Sequence, residues 1–369
     1  MTKSYDLTEE VFDTTFPESV EQLTPAWMTW ALARKYPGVR VNSVDVVNVM
    51  AATATKVRVR LTYNEIGERL QLPNTLIVKG PFGKNVDDME HTFTDETRGY
   101  KYVVSDIGIN TPICYFAEKQ GKNPLLIIED LAAPDCIFSE PTRRMSFEEV
   151  KSILELLAKL HSKYWNSPEL VDGGKFDWVL KSVSGWHLNY MNMVMEPQNW
   201  EFYLSLPRSA ALPIALSSNV DRLRDALYEQ ISFYDTGPLT LGHGDAHTAN
   251  IYFNHNGGGL LDWEMRRCPW YHDVTYFLIT SLDVVDRRNW VSALLQYYLD
   301  RLAAHGVDAP SYADAFYCFR RELIYGYILF ITNGDGKQFW SESMNTAVTV
   351  RYAMAAEDYN MMSAIERGI

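Results

Sequence analysis

The sequence has few cysteines and little positive charge, and each shortage excludes a class of protein. The four cysteines, Cys114, Cys136, Cys268 and Cys318, are widely scattered and form no CxxC pair. This pattern predicts reduced core residues and argues against a zinc site or a disulfide framework. Lysines and arginines number 34 against 47 aspartates and glutamates, which gives a formal net charge of −13. Nucleic acid is therefore not expected as a partner, since nonspecific binding to it depends on basic patches.

Long apolar segments are missing as well. No stretch approaches the ~18 consecutive apolar residues of a membrane span. The acidic residues 1–13 lack the apolar core of a secretory signal. We therefore expect a soluble, cytoplasmic protein with no membrane partner. The 369 residues, 47% of them hydrophobic and 22% charged, are typical of a globular protein with more than one lobe.

Up to about residue 130, the pattern predicts a five-stranded sheet with one inserted helix. A preceding helix begins at Thr24-Pro25 and ends at Pro37-Gly38. A helical spacing over residues 92–108 lies between the third and fourth strands. The first two strands form a β-hairpin, because only the small residues 51–55 join them. Apolar segments predict the strands over residues 41–50, 56–63, 74–79, 112–118 and 124–132.

After Asp130 the pattern becomes mostly helical. Residues 147–164 have the apolar spacing of an amphipathic helix, which Ser146 and Glu149 begin with a capping box. We expect an α+β fold with a small nucleotide-binding lobe, residues 1–130, and a helical catalytic and substrate-binding lobe, residues 131–369. Later helices are predicted over residues 219–234, 272–282 and 287–306, and from about residue 312.

The segment 239–264 interrupts the helices and concentrates the chemistry. Asp245 and Asn250 have the spacing of the kinase catalytic loop H-R-D-x-x-x-x-N, and Asp262 occupies the place of its metal-binding aspartate. Phosphoryl transfer needs oxygen ligands for magnesium, a cation for the phosphates and a carboxylate near the attacking hydroxyl. The glycines at 257–259 allow a tight hairpin that returns Asp262 toward Asn250.

The motif H-G-D-x-H-x-x-N, followed by L-L-D-W, resembles the aminoglycoside phosphotransferase and choline kinase superfamily. Within it, the segments LAKLHSKYW and IIEDL are similar to the ecdysteroid-kinase-like branch of small-molecule kinases. The resemblance extends from about residue 20 onward. It implies a two-lobed protein-kinase-like fold, with ATP and Mg²⁺ as cofactors and a small-molecule hydroxyl as acceptor. Asp245 would be the catalytic carboxylate, and Asn250 and Asp262 would ligate the metal.

The resemblance also assigns residues in the small lobe. Lys79, at the end of the third strand, matches the phosphate-binding lysine, and Glu96 on the next helix is its expected ion-pair partner. Asp95 and Glu90 are rival partners. Glu129–Leu131 matches the hinge whose backbone would contact the adenine edge.

One feature of the small lobe departs from the protein-kinase pattern. Residues 51–55, which include Thr53 and Thr55, replace the glycine-rich phosphate loop. Two interpretations of residues 51–55 stay open. The threonine hydroxyls would contact phosphate, or the segment is an ordinary hairpin turn.

The histidines around Asp245 allow two interpretations. His243 and His247, with His272, would make the HxDxH cluster of a metallohydrolase. The favoured interpretation is that both histidines bind the backbone and support the catalytic loop. Asp273 resembles the family aspartate that supports the same loop, although a helix cap is the structural role that its position favours. His161 is expected to pack inside its helix.

The sequence predicts the acceptor molecule less narrowly than it predicts the reaction. We expect an apolar or aromatic alcohol; aminoglycoside, macrolide and choline-type acceptors are alternatives, as is a catalytically silent nucleotide-binding protein. An aminoglycoside pocket would use acidic residues, for which Glu264, Asp283 and Asp286 are the candidates. Aromatic candidates for the pocket, most of them expected in the core, are Trp186, Tyr190, Trp200, Tyr203, Trp270, Trp340 and Tyr352.

Overall fold

The computed structural model describes residues 13–50, 55–82, 90–132, 136–334 and 340–368, without the side chains of residues 90–92. The chain divides into two compact units, and the boundary lies between Cys136 and Ile137.

The first unit contains the predicted five-stranded antiparallel sheet. Its strand order is β1-β2-β3-β5-β4, and each neighbouring pair is antiparallel. The strands are β1 (Val41–Met50), β2 (Thr55–Tyr63), β3 (Thr75–Gly80), β4 (Cys114–Gln120) and β5 (Asn123–Glu129).

Helices flank this sheet. The Thr24 side chain accepts a hydrogen bond of 3.3 Å from the Trp27 amide and so caps the first helix, as predicted. The helix expected over residues 92–108 is present but contains a π-helical turn at Tyr100–Val104. The helices are α1 (Pro25–Ala33), α2 (Glu65–Arg69), which the sequence did not predict, α3 (Glu90–Gly99) and α4 (Ser105–Ile107).

The core of the first unit lies between α1 and one face of the sheet. Val57 and Val59 of β2 are fully buried there, together with Trp27 of α1. Phe16 belongs to the same core and is 1% exposed. Its ring packs edge-on against Trp27, with 6.2 Å between the centroids.

The second unit is mostly helical, as predicted. Its helices are α5 (Phe147–Lys163), α6 (Trp186–Val194), α7 (Pro197–Leu204), α8 (Ile214–Ser217), α9 (Val220–Phe233), α10 (Trp270–Ser281), α11 (Val284–Ala304), α12 (Tyr312–Ile331), α13 (Glu342–Asp358) and α14 (Met361–Arg367). Two small sheets, with orders β10-β7 and β6-β8-β9, accompany the helices. Their strands are β6 (Ile137–Phe138), β7 (Leu239–Gly242), β8 (Ile251–Asn254), β9 (Gly257–Leu260) and β10 (Arg266–Pro269).

Helix α5 begins with the predicted capping box. The Ser146 amide donates to Glu149 Oε2 at 2.7 Å, and the Glu149 amide donates to Ser146 Oγ at 3.3 Å. The buried face of α5 includes Ile153 and Leu157, and it packs against β9 and α11. The helix thereby supports the hairpin that follows the catalytic loop.

The β8–β9 hairpin uses its three glycines in different ways. Gly257 has a φ of 93°, which favours glycine at the turn. A Cβ on Gly258 would lie 2.6 Å from Ile153 Cδ1, and a Cβ on Gly259 would lie 2.2 Å from the Tyr252 ring. Only Gly257 is therefore needed by the turn, and the other two are needed by close packing.

The sequence predicted no membrane-spanning segment and cysteines that lie in the core. Among the described residues, no helix is long and apolar enough to cross a membrane. Of the four cysteines, Cys268 is buried, whereas Cys114, Cys136 and Cys318 are half-buried. The expectation of core cysteines therefore holds fully only for Cys268.

Candidate active site

The loop between β7 and β8 carries the motif residues. The chain leaves β7 at Gly242, passes through Gly244 and Asp245, and forms a 3₁₀ turn at Thr248–Asn250 before β8. Gly244 has a φ of 85°, and a Cβ there would lie 2.4 Å from the carbonyl oxygen of Glu264. The loop therefore requires glycine directly before Asp245.

The carboxylate of Asp245 is held by three side chains. Asn250 Nδ2 donates to its Oδ2 at 3.0 Å, and the Tyr276 hydroxyl donates to its Oδ1 at 3.2 Å. His247 Nε2 lies 3.4 Å from Oδ2. Burial works to raise the pKa of Asp245, but His247, His243 and Tyr276 together hold the pKa below its usual range. Asp245 is therefore an oriented, ionised carboxylate at neutral pH.

Asn250 and Asp262 are brought together through the backbone. Both amide N–H groups of Asn250 point at Asp245, since Nδ2 also donates to the Asp245 carbonyl at 2.9 Å. The amide oxygen is then the atom of Asn250 that can ligate a metal. The Leu261 amide donates to the Asn250 carbonyl at 3.1 Å, which places Asp262 next to that residue. Asp262 has a φ of 56°, an uncommon conformation for a residue other than glycine and one that clusters at functional sites.

Both motif histidines bind the backbone. His243 Nε2 lies 3.0 Å from the Leu261 carbonyl oxygen, and its Nδ1 accepts from the Asp245 amide at 3.3 Å. His247 Nδ1 accepts from the Ala249 amide at 3.1 Å. Burial lowers the pKa of His243, so the ring is neutral near pH 7. These contacts join the loop to the segment that carries Asp262.

Asp273 of α10 binds the catalytic loop from the opposite side. Its Oδ2 accepts from the His243 amide at 2.6 Å, and its Oδ1 accepts from the Gly244 amide at 3.0 Å. The capping interpretation of Asp273 is wrong: the N-cap position is Pro269, and Asp273 directs its carboxylate to the loop. Burial works to raise the pKa of Asp273, but the hydrogen bond from His161 and nearby histidines lower it to about 2.

His161 does more than pack inside its helix. Its Nε2 lies 3.1 Å from Asp273 Oδ2, and its Nδ1 lies 2.7 Å from the Tyr298 hydroxyl. With Nε2 protonated, the ring donates to Asp273 and accepts from Tyr298. No local sequence pattern indicates this chain of contacts, because the three residues come from α5, α10 and α11. A histidine among the apolar residues of α5 was the one available hint.

The metallohydrolase interpretation needs His272 near the other two histidines. His272 Nδ1 instead lies 2.7 Å from Glu322 Oε1 in a buried network that includes Gln230 and Tyr234. Burial works to lower the pKa of His272, but the hydrogen bond to Glu322 raises it above its usual value. In the described parts of the chain, no group of three His, Cys, Asp or Glu residues is arranged to hold a metal ion. The HxDxH interpretation is therefore wrong.

In the first unit, Lys79 and Glu96 form a buried ion pair. Lys79 Nζ lies 2.6 Å from Glu96 Oε1 and 2.5 Å from Oε2. Both side chains are less than a tenth exposed. Of the rival partners, Asp95 is buried, and the side chain of Glu90 lies outside the described residues.

The remaining small-lobe candidates are Glu129, Leu131, Thr55 and Thr53. Glu129 is the last residue of β5, and its Oε2 accepts from the Ile113 amide at 3.1 Å. Leu131 is 9% exposed. Thr55 is the first residue of β2, opposite Gly80 of β3. Thr53 lies outside the described residues.

Some of the aromatic candidates for the acceptor pocket lie in the core, and others do not. Trp200, Trp270 and Tyr352 are buried, whereas Trp186, Tyr190, Tyr203 and Trp340 are half-buried. The rings of Trp340 and His247 pack edge-on, 5.0 Å between centroids. Trp340 also stacks on Phe330 at 5.4 Å, and Phe330 stacks on Tyr276 at 5.5 Å. Half-buried Trp340 therefore extends an aromatic surface from the residues that hold Asp245.

The acidic candidates have other partners. Glu264 Oε1 lies 2.7 Å from Arg266 Nη2 and 3.6 Å from His187 Nε2. Asp286 is bound by Arg144 at 2.6 Å. Asp283 is the N-cap residue of α11. Two of the three carboxylates are therefore engaged in ion pairs.

The fold and the site together define a class of protein. A five-stranded antiparallel sheet with a buried lysine–glutamate pair, and a helical unit with an oriented Asp–Asn loop, are those of a kinase-like phosphotransferase. The expected two-lobed, α+β, protein-kinase-like fold is confirmed. The protein is an ATP-dependent phosphotransferase that acts on a hydroxyl group.

The chain belongs to the ecdysteroid kinase-like family, whose sequence model matches residues 51–308, more than half of the 369 residues. The ecdysteroid-kinase-like branch expected from the motifs is thereby confirmed. No curated protein matches the chain.

Two solved structures illustrate the likeness. A microcompartment-associated aminopropanol kinase is 13% identical with a TM-score of 0.53, over 92% of this chain and 99% of that one. Choline kinase from Cryptosporidium parvum Iowa II is 14% identical with a TM-score of 0.52, over 93% of this chain and 97% of that one. At these identities the likeness shows the fold alone.

Proposed function

We propose that this protein transfers the γ-phosphate of ATP to the hydroxyl of a small apolar or aromatic alcohol, with Mg²⁺ as cofactor and Asp245 as the catalytic carboxylate. The observation that carries the proposal is the environment of Asp245. Hydrogen bonds from Asn250 and Tyr276, with His247 beside them, fix the carboxylate in an ionised state. A fixed carboxylate is what the attacking hydroxyl requires in phosphoryl transfer.

In this proposal, Asp245 first orients the acceptor hydroxyl. A new bond forms between the acceptor oxygen and the γ-phosphorus while the bond to the β–γ bridging oxygen breaks, and ADP leaves with that electron pair. The hydroxyl proton passes to Asp245. Because the pKa of Asp245 is low, the carboxylate is a weak base and accepts the proton late, when the hydroxyl has become acidic.

The donor atoms available in the second unit suit magnesium. The Asn250 amide oxygen and the Asp262 carboxylate are hard oxygen ligands, and Mg²⁺ in nucleotide sites uses few protein ligands together with phosphates and water. Bound there, the metal would neutralise phosphate charge. The Leu261 hydrogen bond to Asn250 would keep the two ligands at a constant separation.

Nucleotide contacts are proposed for the first unit. Lys79 would bind phosphate, with Glu96 holding its ammonium group in place. The backbone of Glu129–Leu131 would contact the adenine edge, and the hydroxyl of Thr55, with Thr53, would lie near phosphate. The domain roles follow: nucleotide binding for residues 1–130, and catalysis and acceptor binding for residues 131–369.

The aromatic surface next to Asp245 favours an apolar or aromatic acceptor. Half-buried Trp340 would offer its ring to a flat ligand, with Phe330 and Tyr276 buried behind it, and a quaternary ammonium would also be attracted to that ring. An aminoglycoside needs carboxylates free to bind its amines, and Glu264 and Asp286 are already paired with arginines. This argues against the antibiotic alternative.

The test compares purified wild-type protein with Asp245→Asn, which keeps the shape of the side chain. ADP release is measured with ATP, Mg²⁺ and a panel of steroids, aromatic alcohols, choline, aminoglycosides and macrolides. We expect turnover to fall roughly 10²- to 10⁴-fold in D245N, as for loss of a group that positions or accepts a proton, while the Kd for ATP stays within about twofold. Turnover as fast as that of wild type would refute the role of Asp245. ATP binding without turnover of any acceptor by the wild type would favour a silent nucleotide-binding protein.

A further inference from the structure

Strand β2 presents two chemically different faces. Val57 and Val59 are fully buried in the core beneath α1. Successive side chains of a strand point to opposite faces, so Arg58 and Arg60 point away from that core. Arg58 is half-buried, whereas Arg60 is exposed. The face opposite α1 therefore carries a partly enclosed arginine in a protein with a net charge of −13.

The strand register places Arg58 on the same face as Lys79. Arg58 lies opposite Ile77 of β3, and Ile77 lies opposite Ile128 of β5. Residues opposite each other in antiparallel strands share a face, with Cβ atoms about 5 Å apart. Ile77 is two residues before Lys79 and therefore shares its face as well. Arg58, Ile77 and Ile128 form a row across three strands, next to the proposed phosphate-binding lysine.

An ion pair fixes the position of Arg58 along this row. Arg58 Nε lies 2.9 Å from Asp130 Oδ2, and the two side chains are 27% and 6% exposed. The Nε–H is not aligned for a hydrogen bond, so the contact is electrostatic. Asp130 also accepts from the Ala132 amide at 3.2 Å, which holds the carboxylate to its own turn. The guanidinium is thereby kept beside Glu129–Leu131, and it retains an exposed part.

We propose that Arg58 is a nucleotide-binding residue whose guanidinium plane stacks on the purine base. The inference rests on the proposed function, which puts the base edge at the backbone of residues 129–131. Ile77 and Ile128 supply apolar contact on the same face, and both are less than a tenth exposed. A guanidinium is planar and stacks on aromatic rings, which an ammonium group cannot do. Asp130 is a positioning residue that acts through Arg58.

The experiment separates base binding from phosphate binding. Calorimetric titrations of ATP and of inorganic tripolyphosphate, both with Mg²⁺, are compared for wild type, R58A, R58K and R60A. We expect R58A to weaken ATP binding about tenfold, the range for loss of one cation–ring contact, and to leave tripolyphosphate binding unchanged. R58K keeps the charge but lacks the plane, so we expect about threefold to tenfold weaker ATP binding. The matched control R60A, on the same face of the same strand, should bind both ligands as wild type does.

Three results would overturn the inference. Equal losses for ATP and tripolyphosphate in R58A would assign Arg58 to the phosphates. ATP binding by R58K at the wild-type level would show that charge suffices and that the plane does not matter. R58A with unchanged affinity for ATP, in a protein whose thermal unfolding shows it to be folded, would remove Arg58 from the site. Failure of the proposed function looks different, because the wild type would then either bind no ATP or bind it without turnover of any acceptor.

Discussion

Replacement of Asp273 by Asn should destabilise the protein in a pH-dependent way. The Asp273 carboxylate is 1% exposed and accepts hydrogen bonds from the His243 and Gly244 amides and from His161. Asparagine keeps the shape, but one of its two terminal groups becomes an NH₂ that cannot accept from a backbone amide. At least one buried N–H group is then left without its acceptor, which is costly.

The magnitude follows from the pKa of Asp273. Its fall from the usual 3.8 to about 2 corresponds to about 2 kcal/mol of folding free energy, at about 1.36 kcal/mol per pKa unit. Because the pKa is lower in the folded state, this stabilisation is complete above pH 3.8 and is lost as the pH falls toward 2. Asparagine resembles the protonated, neutral carboxyl group. We therefore expect D273N to be less stable than wild type by about 2 kcal/mol at pH 7, and by roughly half of that at pH 3.

Urea unfolding followed by tryptophan fluorescence at pH 7, 4 and 3 measures this difference. Asp235→Asn is the matched control, because the side chain of Asp235 is 73% exposed. Its effect should stay within about 0.5 kcal/mol at every pH, as for most surface substitutions. Equal stability of D273N and wild type at pH 7 would refute the reasoning. A deficit of the same size at pH 7 and pH 3 would also refute it, since the carboxylate charge would then be irrelevant.

Two further predictions concern the same loop. Tyr276→Phe removes the 3.2 Å hydrogen bond to Asp245 Oδ1. It should lower kcat about 5- to 50-fold with little change in KM, because orientation of the carboxylate matters most in the transition state. Steady-state kinetics in which KM rose and kcat did not change would contradict this prediction. Gly244→Ala combines a positive φ with a Cβ only 2.4 Å from the Glu264 carbonyl oxygen. It should lower stability by about 1–3 kcal/mol and abolish turnover, and a thermal unfolding midpoint and activity equal to those of wild type would contradict it.

The sequence predicted the parts of this protein whose determinants are local. Short apolar segments predicted the five-stranded sheet, and Ser146 with Glu149 predicted the start of α5, since each pattern acts within a few residues. Asp245 and Asn250 could be paired because their spacing along the chain also sets their distance in space. Hydrogen bonds of 2.9 and 3.0 Å between them confirm that they are neighbours.

Contacts between distant residues were not predictable. His161 is 112 positions from Asp273 and 137 positions from Tyr298 along the chain. No local sequence pattern connects residues so far apart. The neighbours of Asp273 in the sequence therefore suggested a helix cap, and only the family resemblance suggested that it supports the catalytic loop. The role of Tyr276 was missed for the same reason. Its apolar surroundings in α10 are typical of a core tyrosine, and only the fold brings its hydroxyl to Asp245.

The glycine-rich strand β9 has a consequence for how this enzyme can vary. Every residue that can replace a glycine has a larger side chain. At Gly259 even the smallest addition, one methyl group, would meet the Tyr252 ring at 2.2 Å, and at Gly258 it would meet Ile153 at 2.6 Å. Substitutions at contacting positions therefore depend on each other. A residue smaller than tyrosine is needed at position 252 before a residue larger than glycine fits at position 259. We therefore expect substitutions that adapt this enzyme to new acceptors to occur outside the hairpin. Residues such as Trp340, which lie near Asp245 and are only half-buried, are the expected positions.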